Sequence, residues 1–222
     1  MRAHIFLPVF LRYNTVRMIV TYHGGSCVRL AVGEHSAVFN PPAKASSRFS
    51  TVRATADAVL VSMWHQDFNG VENVRGAKRD QGPFVVAGPG AYEVGELSVH
   101  GFGMETEYDG ITRYNTIYQV HFAHFNIVHL GALREVELDS HVRGALGDID
   151  ILFSPVGGDE VLDASDAARV MVKLEPRVTI PVHYDKTTLA AFLKETGAEG
   201  VAPESKWSVK HKEIGALEGA VR

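Results

Sequence analysis

The run Ala58-Val59-Leu60-Val61-Ser62-Met63-Trp64-His65-Gln66-Asp67-Phe68 is apolar and β-branched until it breaks into a histidine and an aspartate two residues apart. An imidazole and a carboxylate delivered by the end of a buried strand are donors of the kind that hold a divalent metal, and such a metal brings the pKa of bound water close to neutral. Their neighbours are poor donors. Met63 offers a soft thioether and Phe68 no lone pair, whereas a catalytic zinc takes about three protein ligands and keeps an open position. His65 is therefore read either as a metal ligand or as a hydrogen-bonded structural residue, with neither preferred. Asp67 is read as a ligand or as a side-chain cap on the turn announced by Asn69 and Gly70, and capping is preferred.

The pattern around this segment supplies strands on either side of it. Residues 18–22, 27–32 and 36–39 read as three short strands separated by glycine-containing turns, a meander. Residues 41–52 are polar and serine-rich, a surface loop. After the strand at 58–62 come strand-like stretches at 84–87, 97–102, 116–122 and 126–130. Apolar residues recur at helical steps over 164–174, with Asp163 placed to cap, and 188–196 reads as a helix closed by Gly197. Strands and helices interleave as in two packed sheets with helices outside them.

A chain of 222 residues can build one domain with a large core, and no repeat or low-complexity linker divides it. The net charge of −4 disfavours nucleic acid as the principal partner. The single cysteine allows no internal disulfide and fits a reducing, cytoplasmic setting; Cys27 reads as a small buried side chain. Near the start, Ile5-Phe6-Leu7-Pro8-Val9-Phe10-Leu11 follows Arg2 as in a signal peptide, but it is short, contains Pro8 and is followed by Arg12 and Arg17. Residues 1–17 are read as an extension that is neither a signal nor a membrane span, and residues 18–222 as the domain.

Several motifs in order carry a family resemblance. The segment from Leu60 to Phe68 resembles the Thr-His-x-His-x-Asp-His signature of metallo-β-lactamase-fold hydrolases, with His65 on the second His, Asp67 on the Asp, and Met63 and Phe68 on the first and last His. Val128-His129-Leu130-Gly131-Ala132 resembles that family's His-Leu-Gly-Asp, with Ala132 in place of the Asp. Ile180-Pro181-Val182-His183-Tyr184 matches the final strand motif. Ile149-Asp150-Ile151-Leu152-Phe153-Ser154-Pro155-Val156-Gly157-Gly158 is similar to a stretch of the branch containing the ascorbate-phosphate lactonases. Tyr22-His23-Gly24-Gly25-Ser26-Cys27 is similar to that branch's Gly-His-Ser-Cys turn, with Gly25 for the His, and Asn40 precedes Pro41 where Asp is usual.

The resemblance implies an α/β fold, a four-layer αββα sandwich of two mixed β-sheets flanked by helices. It also implies a two-metal centre, onto which the residues transfer unevenly. Metal one keeps His65 and His129 and meets Met63; metal two keeps Asp67 and His183 and meets Phe68; the bridging carboxylate becomes Ala132. What remains is His65, Asp67, His129 and His183, which the fold is expected to gather in one cavity to hold one divalent metal (zinc, manganese or iron) or none. Asp67 is also the candidate catalytic residue. For His129 and His183 the alternative is a buried imidazole bonded to backbone carbonyls.

Two functions follow. One is a metal-dependent hydrolase of a small ester, lactone or phosphoester. The other is a catalytically silent binding or assembly module whose cavity is closed by Met63 and Phe68. A small-molecule partner goes with the first, and association into a homo-oligomer is compatible with both. By analogy with the family, residues 105–115 read as a flexible, charged connection near the site. The Gly157-Gly158 pair invites a phosphate-cradle reading, but Asp159 and Glu160 favour a tight strand-to-helix turn. His23, His121, His124 and His211 match no ligand position and read as surface or turn residues.

Overall fold

The computed structural model describes residues 16–78 and 80–222, so the extension expected over 1–17 lies outside the described residues up to residue 15. Strands β1 (Arg17–Gly24), β2 (Cys27–Val32) and β3 (His35–Phe39) form the opening meander, each antiparallel to the one before. The chain continues through β4 (Ala54–Ala56), β5 (Ala58–Leu60), β6 (Val74–Gly76), β7 (Phe84–Val86), β8 (Gly90–Val94), β9 (Leu97–Tyr108), β10 (Ile111–Phe122) and β11 (Phe125–His129). Then come α1 (Ser140–Leu146), β12 (Ile151–Pro155), α2 (Ala164–Leu174), β13 (Val178–Val182), α3 (Lys186–Glu195), β14 (Lys206–Lys210), α4 (His211–Ile214) and β15 (Ala220–Val221).

Among the described residues one sheet has the order β14-β1-β2-β3-β5-β7 and the other β15-β13-β12-β11-β10-β9-β8. Both are mixed: β3, β5 and β7 are parallel in the first, and β11, β12, β13 and β15 in the second. Leu30, Phe39 and Leu60 of the first sheet meet Tyr118, Phe122 and Phe153 of the second in the inter-sheet core. On the far side of the second sheet, Ile117, Val128 and Leu152 pack against Leu146 of α1, Val170 of α2 and Phe192 of α3. Burial on both faces explains why these strands are continuously apolar. The outer face of the first sheet, with Cys27, Val38 and Val59, is covered by the β4–β6 ribbon and the loop residue Val52. The two mixed sheets packed face to face are as expected, with α1, α2 and α3 on the outer face of the second.

The helix boundaries follow their caps. Asp163 accepts the amide of Asp166 at the start of α2, and Asp185 accepts those of Thr187 and Thr188 while Thr188 returns a bond to the Asp185 amide. No helix among the described residues is long and apolar enough to cross a membrane.

One expectation is corrected. Residues 105–115 are not a flexible connection: β9 and β10 run as a paired hairpin, and only Asp109 and Gly110 lie between them. Both turn residues have positive φ, 59° and 68°, as the right-handed twist of a two-residue hairpin requires. The charges that suggested a loop are one face of a strand, since Glu105 and Glu107 are exposed while Thr106 and Tyr108 are buried. A Cβ added at Gly110 would meet nothing within 4 Å. Gly110→Val should therefore cost only the left-handed backbone, about 1–2 kcal/mol by urea unfolding, and Gly110→Asn much less. Equal losses in the two variants would show that the turn does not impose that conformation.

Candidate functional site

The loop leaving β5 is held by a bridge between Met63 and Asn115 of β10. Its turn is closed by the His65 carbonyl, which accepts the amides of Phe68 and Asn69. Asp67 is thus not the cap it was expected to be. Its carboxylate is buried, 1% exposed, and turned the other way. One oxygen accepts the Ser46 hydroxyl at 2.6 Å, the other accepts the Tyr108 hydroxyl at 2.8 Å, and the Arg48 guanidinium stands 3.7 Å away. His65 lies alongside. Its Nδ1 accepts the Asp67 amide at 3.2 Å, and its Nε2 is 3.6 Å from Asp109 Oδ2.

The Tyr108 oxygen is also 3.0 Å from His183 Nε2. An ionised carboxylate only accepts, so the phenolic proton goes to Asp67 and His183 Nε2–H must donate to the phenol. The result is a directed chain, His183 to Tyr108 to Asp67. His183 is placed in it by a left-handed backbone, φ 51°, with its amide donating to Gly25 O at 2.6 Å. Phe68 stacks on the imidazole with centroids 5.7 Å apart, and Phe49 meets its edge at 5.0 Å. A Cβ on Gly157 would come within 2.2 Å of His183 O, so the Gly157-Gly158 turn is explained by close passage of the chain. Burial lowers the pKa of His183 to about 4. Burial, then the charge of Asp67, raises that of Tyr108.

His129 is occupied elsewhere. Nε2 is 3.1 Å from Ser26 O, Nδ1 accepts the Gly131 amide at 3.0 Å, and the ring stacks against Phe39 and Phe153. With Nδ1 accepting, Nε2 carries the proton. Burial lowers the pKa of this imidazole to about 4, and a second proton would face the Gly131 amide. Beside it, the Asn115 carboxamide accepts the Ala132 amide and donates to Leu130 O, fixing the 130–132 turn. Met63, Phe68 and Ala132 form a buried apolar cluster with Tyr108 and Val161.

Of the residues expected at the site, Asp67 and His183 are brought together through Tyr108, His65 lies beside Asp67, and His129 faces the backbone of Ser26 and Gly131. Tyr108, Ser46, Arg48, Phe49 and Asn115 were not foreseen. The Asp109-Gly110 dipeptide flanked by alternation was a usable signal for Tyr108. Ser46 and Arg48 gave none, because their partners lie in distant segments. Arg48 covers the assembly, with its guanidinium 5.2 Å from the Tyr108 ring centroid and paired with Asp109 and Glu160. Of the remaining histidines, His121 and His124 are exposed, and His211 stands 3.6 Å from Asp150. Cys27 is buried, which raises its pKa and leaves it a packing residue.

A family model described as a beta-lactamase superfamily domain matches residues 19–183, most of the chain. The chain belongs to this superfamily. It is 23% identical over 193 residues, covering 76% of this chain and 84% of the relative, to a protein of Natranaerobius thermophilus named a metal-dependent hydrolase. Among solved structures it resembles a Thermotoga maritima protein, described as a candidate zinc-dependent hydrolase of the metallo-β-lactamase superfamily. The TM-score is 0.64 and the identity 29%, covering 80% of this chain and 84% of that one. A candidate metal-dependent hydrolase from Parabacteroides distasonis, 17% identical, has the same fold with a TM-score of 0.63, covering 84% of this chain and 91% of its own.

The superfamily's metals need free donors, and here the donors are engaged. A metal bound by Asp67 and His183 would stand about 2 Å from each, in the space where the Tyr108 hydroxyl bonds both. Both nitrogens of His129 are bonded to backbone groups. Among the described residues no group of three His, Cys, Asp or Glu side chains is placed to hold a metal. The donor set in this arrangement does not fit the superfamily's metal pair.

Tyr108→Phe should destabilise the protein by about 1–3 kcal/mol, because it leaves a buried carboxylate oxygen and a buried imidazole N–H without the shared hydroxyl. An unchanged urea midpoint would remove the hydroxyl from the account. His129 supplies a pH dependence. With a folded pKa of about 4 against 6.5 unfolded, the unfolded chain binds the extra proton between those values. The contribution is full above about pH 6.5 and declines toward pH 4, by about 3 kcal/mol in all. His129→Gln, which keeps a donor and an acceptor, should reduce the slope of stability against pH in that window and leave the share that His183 contributes; an unaltered slope contradicts the assignment.

Proposed function

We propose that this chain is a superfamily member in which the hydrolytic metal centre has become a hydrogen-bonded part of the core, leaving the fold to serve as a binding or assembly module. The observation that carries this reading is the Tyr108 hydroxyl, which bonds both Asp67 and His183 and takes the place a metal would need. Three further features support it. Met63, Phe68 and Ala132, on the matched ligand positions, pack together as apolar side chains. His129 spends both nitrogens on the backbone. Gly25, where the lactonase-like branch has His, leaves space that the Phe49 ring fills, since a Cβ there would lie 2.9 Å from the Phe49 ring.

A second reading keeps the metal-dependent hydrolysis named for the relatives, and gives it a small ester, lactone or phosphoester as substrate and one divalent metal. It is favoured by the convergence of Asp67 and His183 on one point, 2.8 and 3.0 Å from the Tyr108 oxygen, with His65 adjacent. In that case Asp67, His183 and His65 would be ligands once the Tyr108 ring rotated away, and the metal would supply an activated water.

Elemental analysis of protein purified without chelator separates the two. The first reading expects well under one zinc, iron or manganese per chain and a melting temperature indifferent to chelator. A stoichiometric metal, with a chelator-sensitive melting temperature that becomes insensitive in His183→Ala, supports the second and overturns the first. Restoring Met63→His, Phe68→His and Ala132→Asp together with Tyr108→Ala should create tight metal binding. A folded quadruple variant with no gain would show that the ligand positions are misassigned.

A further inference from the structure

The loop after β5 has an outer side that the Asp67 assembly does not use. An open cavity of about 440 Å³ is lined there by Trp64, His65, Gln66 and Asn69, with Ala43 of the loop after β3. Trp64 is 75% exposed, the highest value among the large hydrophobic side chains of the described residues. Its indole is free, but its backbone is held. The preceding residue is bridged to Asn115, the His65 amide donates to Met63 O at 2.9 Å, and Arg113 Nη1 donates to Trp64 O at 3.5 Å. The two loops are laced together below the ring, where the Ala43 amide donates to Gln66 O at 2.8 Å and the Gly70 amide to Pro41 O at 2.6 Å. They pass so closely that a Cβ on Gly70 would lie 2.3 Å from Pro42 O. A ligand here meets a platform already in place and bears little ordering cost.

The lining selects the ligand. None of the five residues carries a fixed charge, and the Asp67 carboxylate is taken up by Ser46, Tyr108 and Arg48, so a charged group finds no counter-charge in the cavity wall. The carboxamides of Gln66 and Asn69 make no hydrogen bond among the described residues, and each offers two N–H donors and an acceptor oxygen. An exposed indole with free carboxamides beside it suits a neutral molecule with one flat apolar face and a hydroxylated edge. A pyranose with equatorial hydroxyls has that form, since its axial C–H groups make the face and its hydroxyls the rim. A nucleobase could use the same indole, but among the described residues no second ring faces Trp64 to sandwich it. We propose that this cavity binds a neutral saccharide, a β-linked glucose-type pyranoside stacked on Trp64, with neighbouring hydroxyls held by Gln66 and Asn69. The site does not depend on whether the Asp67 assembly holds a metal.

The test uses the fluorescence of Trp64 in a Trp207→Phe background, titrated with cellotriose. A saturable change is expected, weakened at least threefold by Gln66→Ala and by Asn69→Ala, and unaltered by chelator. Saturation-transfer NMR of cellotriose with the unaltered chain should show the strongest transfer to the axial C–H protons of the sugar. That transfer should vanish in Trp64→Ala, whose urea midpoint should match the parent because the indole is exposed. No saturable response, or transfer that persists in a folded Trp64→Ala, overturns the proposal. Adenosine bound as tightly as cellotriose overturns the choice of a sugar, and cellotriose binding abolished by chelator would put the sugar on a metal instead of on Trp64.

Discussion

A carboxylate 1% exposed inside a protein has to be matched by donors, and the disposition of Asp67 constrains everything around it. In the superfamily to which this chain belongs, the matched position lies among metal ligands. Here the donors are side chains from two other segments: Ser46 and Arg48 from the loop after β3, and Tyr108, over which Arg48 is stacked, from a hairpin. Each must reach the carboxylate at once, which fixes the loop after β3, the tip of β9–β10 and the loop after β5 relative to one another. His183 joins by giving its own N–H to the same phenol. Removing any one donor leaves a buried charge under-satisfied, so the assembly resists partial loss more than its exposed ion pairs suggest.

The longer strands and the two longer helices were legible because they depend on local pattern, whereas α1 and the short strands β4, β6, β8, β14 and β15 were not read. The opening meander, the cap at Asp163 and the buried strands all announce themselves within a few residues, while the cap at Asp185 was missed and its helix read as starting at residue 188. The hairpin at 97–122 was misjudged from charge content, although Asp109-Gly110 and the alternation of Thr106 and Tyr108 with Glu105 and Glu107 are local signals of the same kind. The site was legible in residue type and not in use. Nothing near His129 or His183 in sequence distinguishes an imidazole bound to Ser26 and Gly131 from one bound to a phenol 75 residues away. The choice is made by packing across the two sheets.

The departures from the superfamily's motifs make sense together. Met63, Phe68 and Ala132 are each unremarkable as isolated changes, yet they touch one another and Tyr108 as a small apolar core. Gly25 leaves room for Phe49, whose ring meets His183 edge-on. Asn40, where Asp is usual, accepts the Ser62 amide and donates to its hydroxyl, which ties the loop after β5 to the end of β3. The fold itself is unaffected, because the sandwich core and the helices on the second sheet lie away from these positions.

The central claim is that the imidazoles of this site are committed to protein partners, and a long-range proton–nitrogen NMR spectrum of the histidine rings reads this directly. At pH 7.5 the account predicts that His129 and His183 are both neutral with the proton on Nε2, as their bonds to Ser26 O and Tyr108 require, and that equimolar zinc leaves their ring nitrogens unmoved. Ring nitrogens of His183 and His129 that shift together on adding zinc would contradict it.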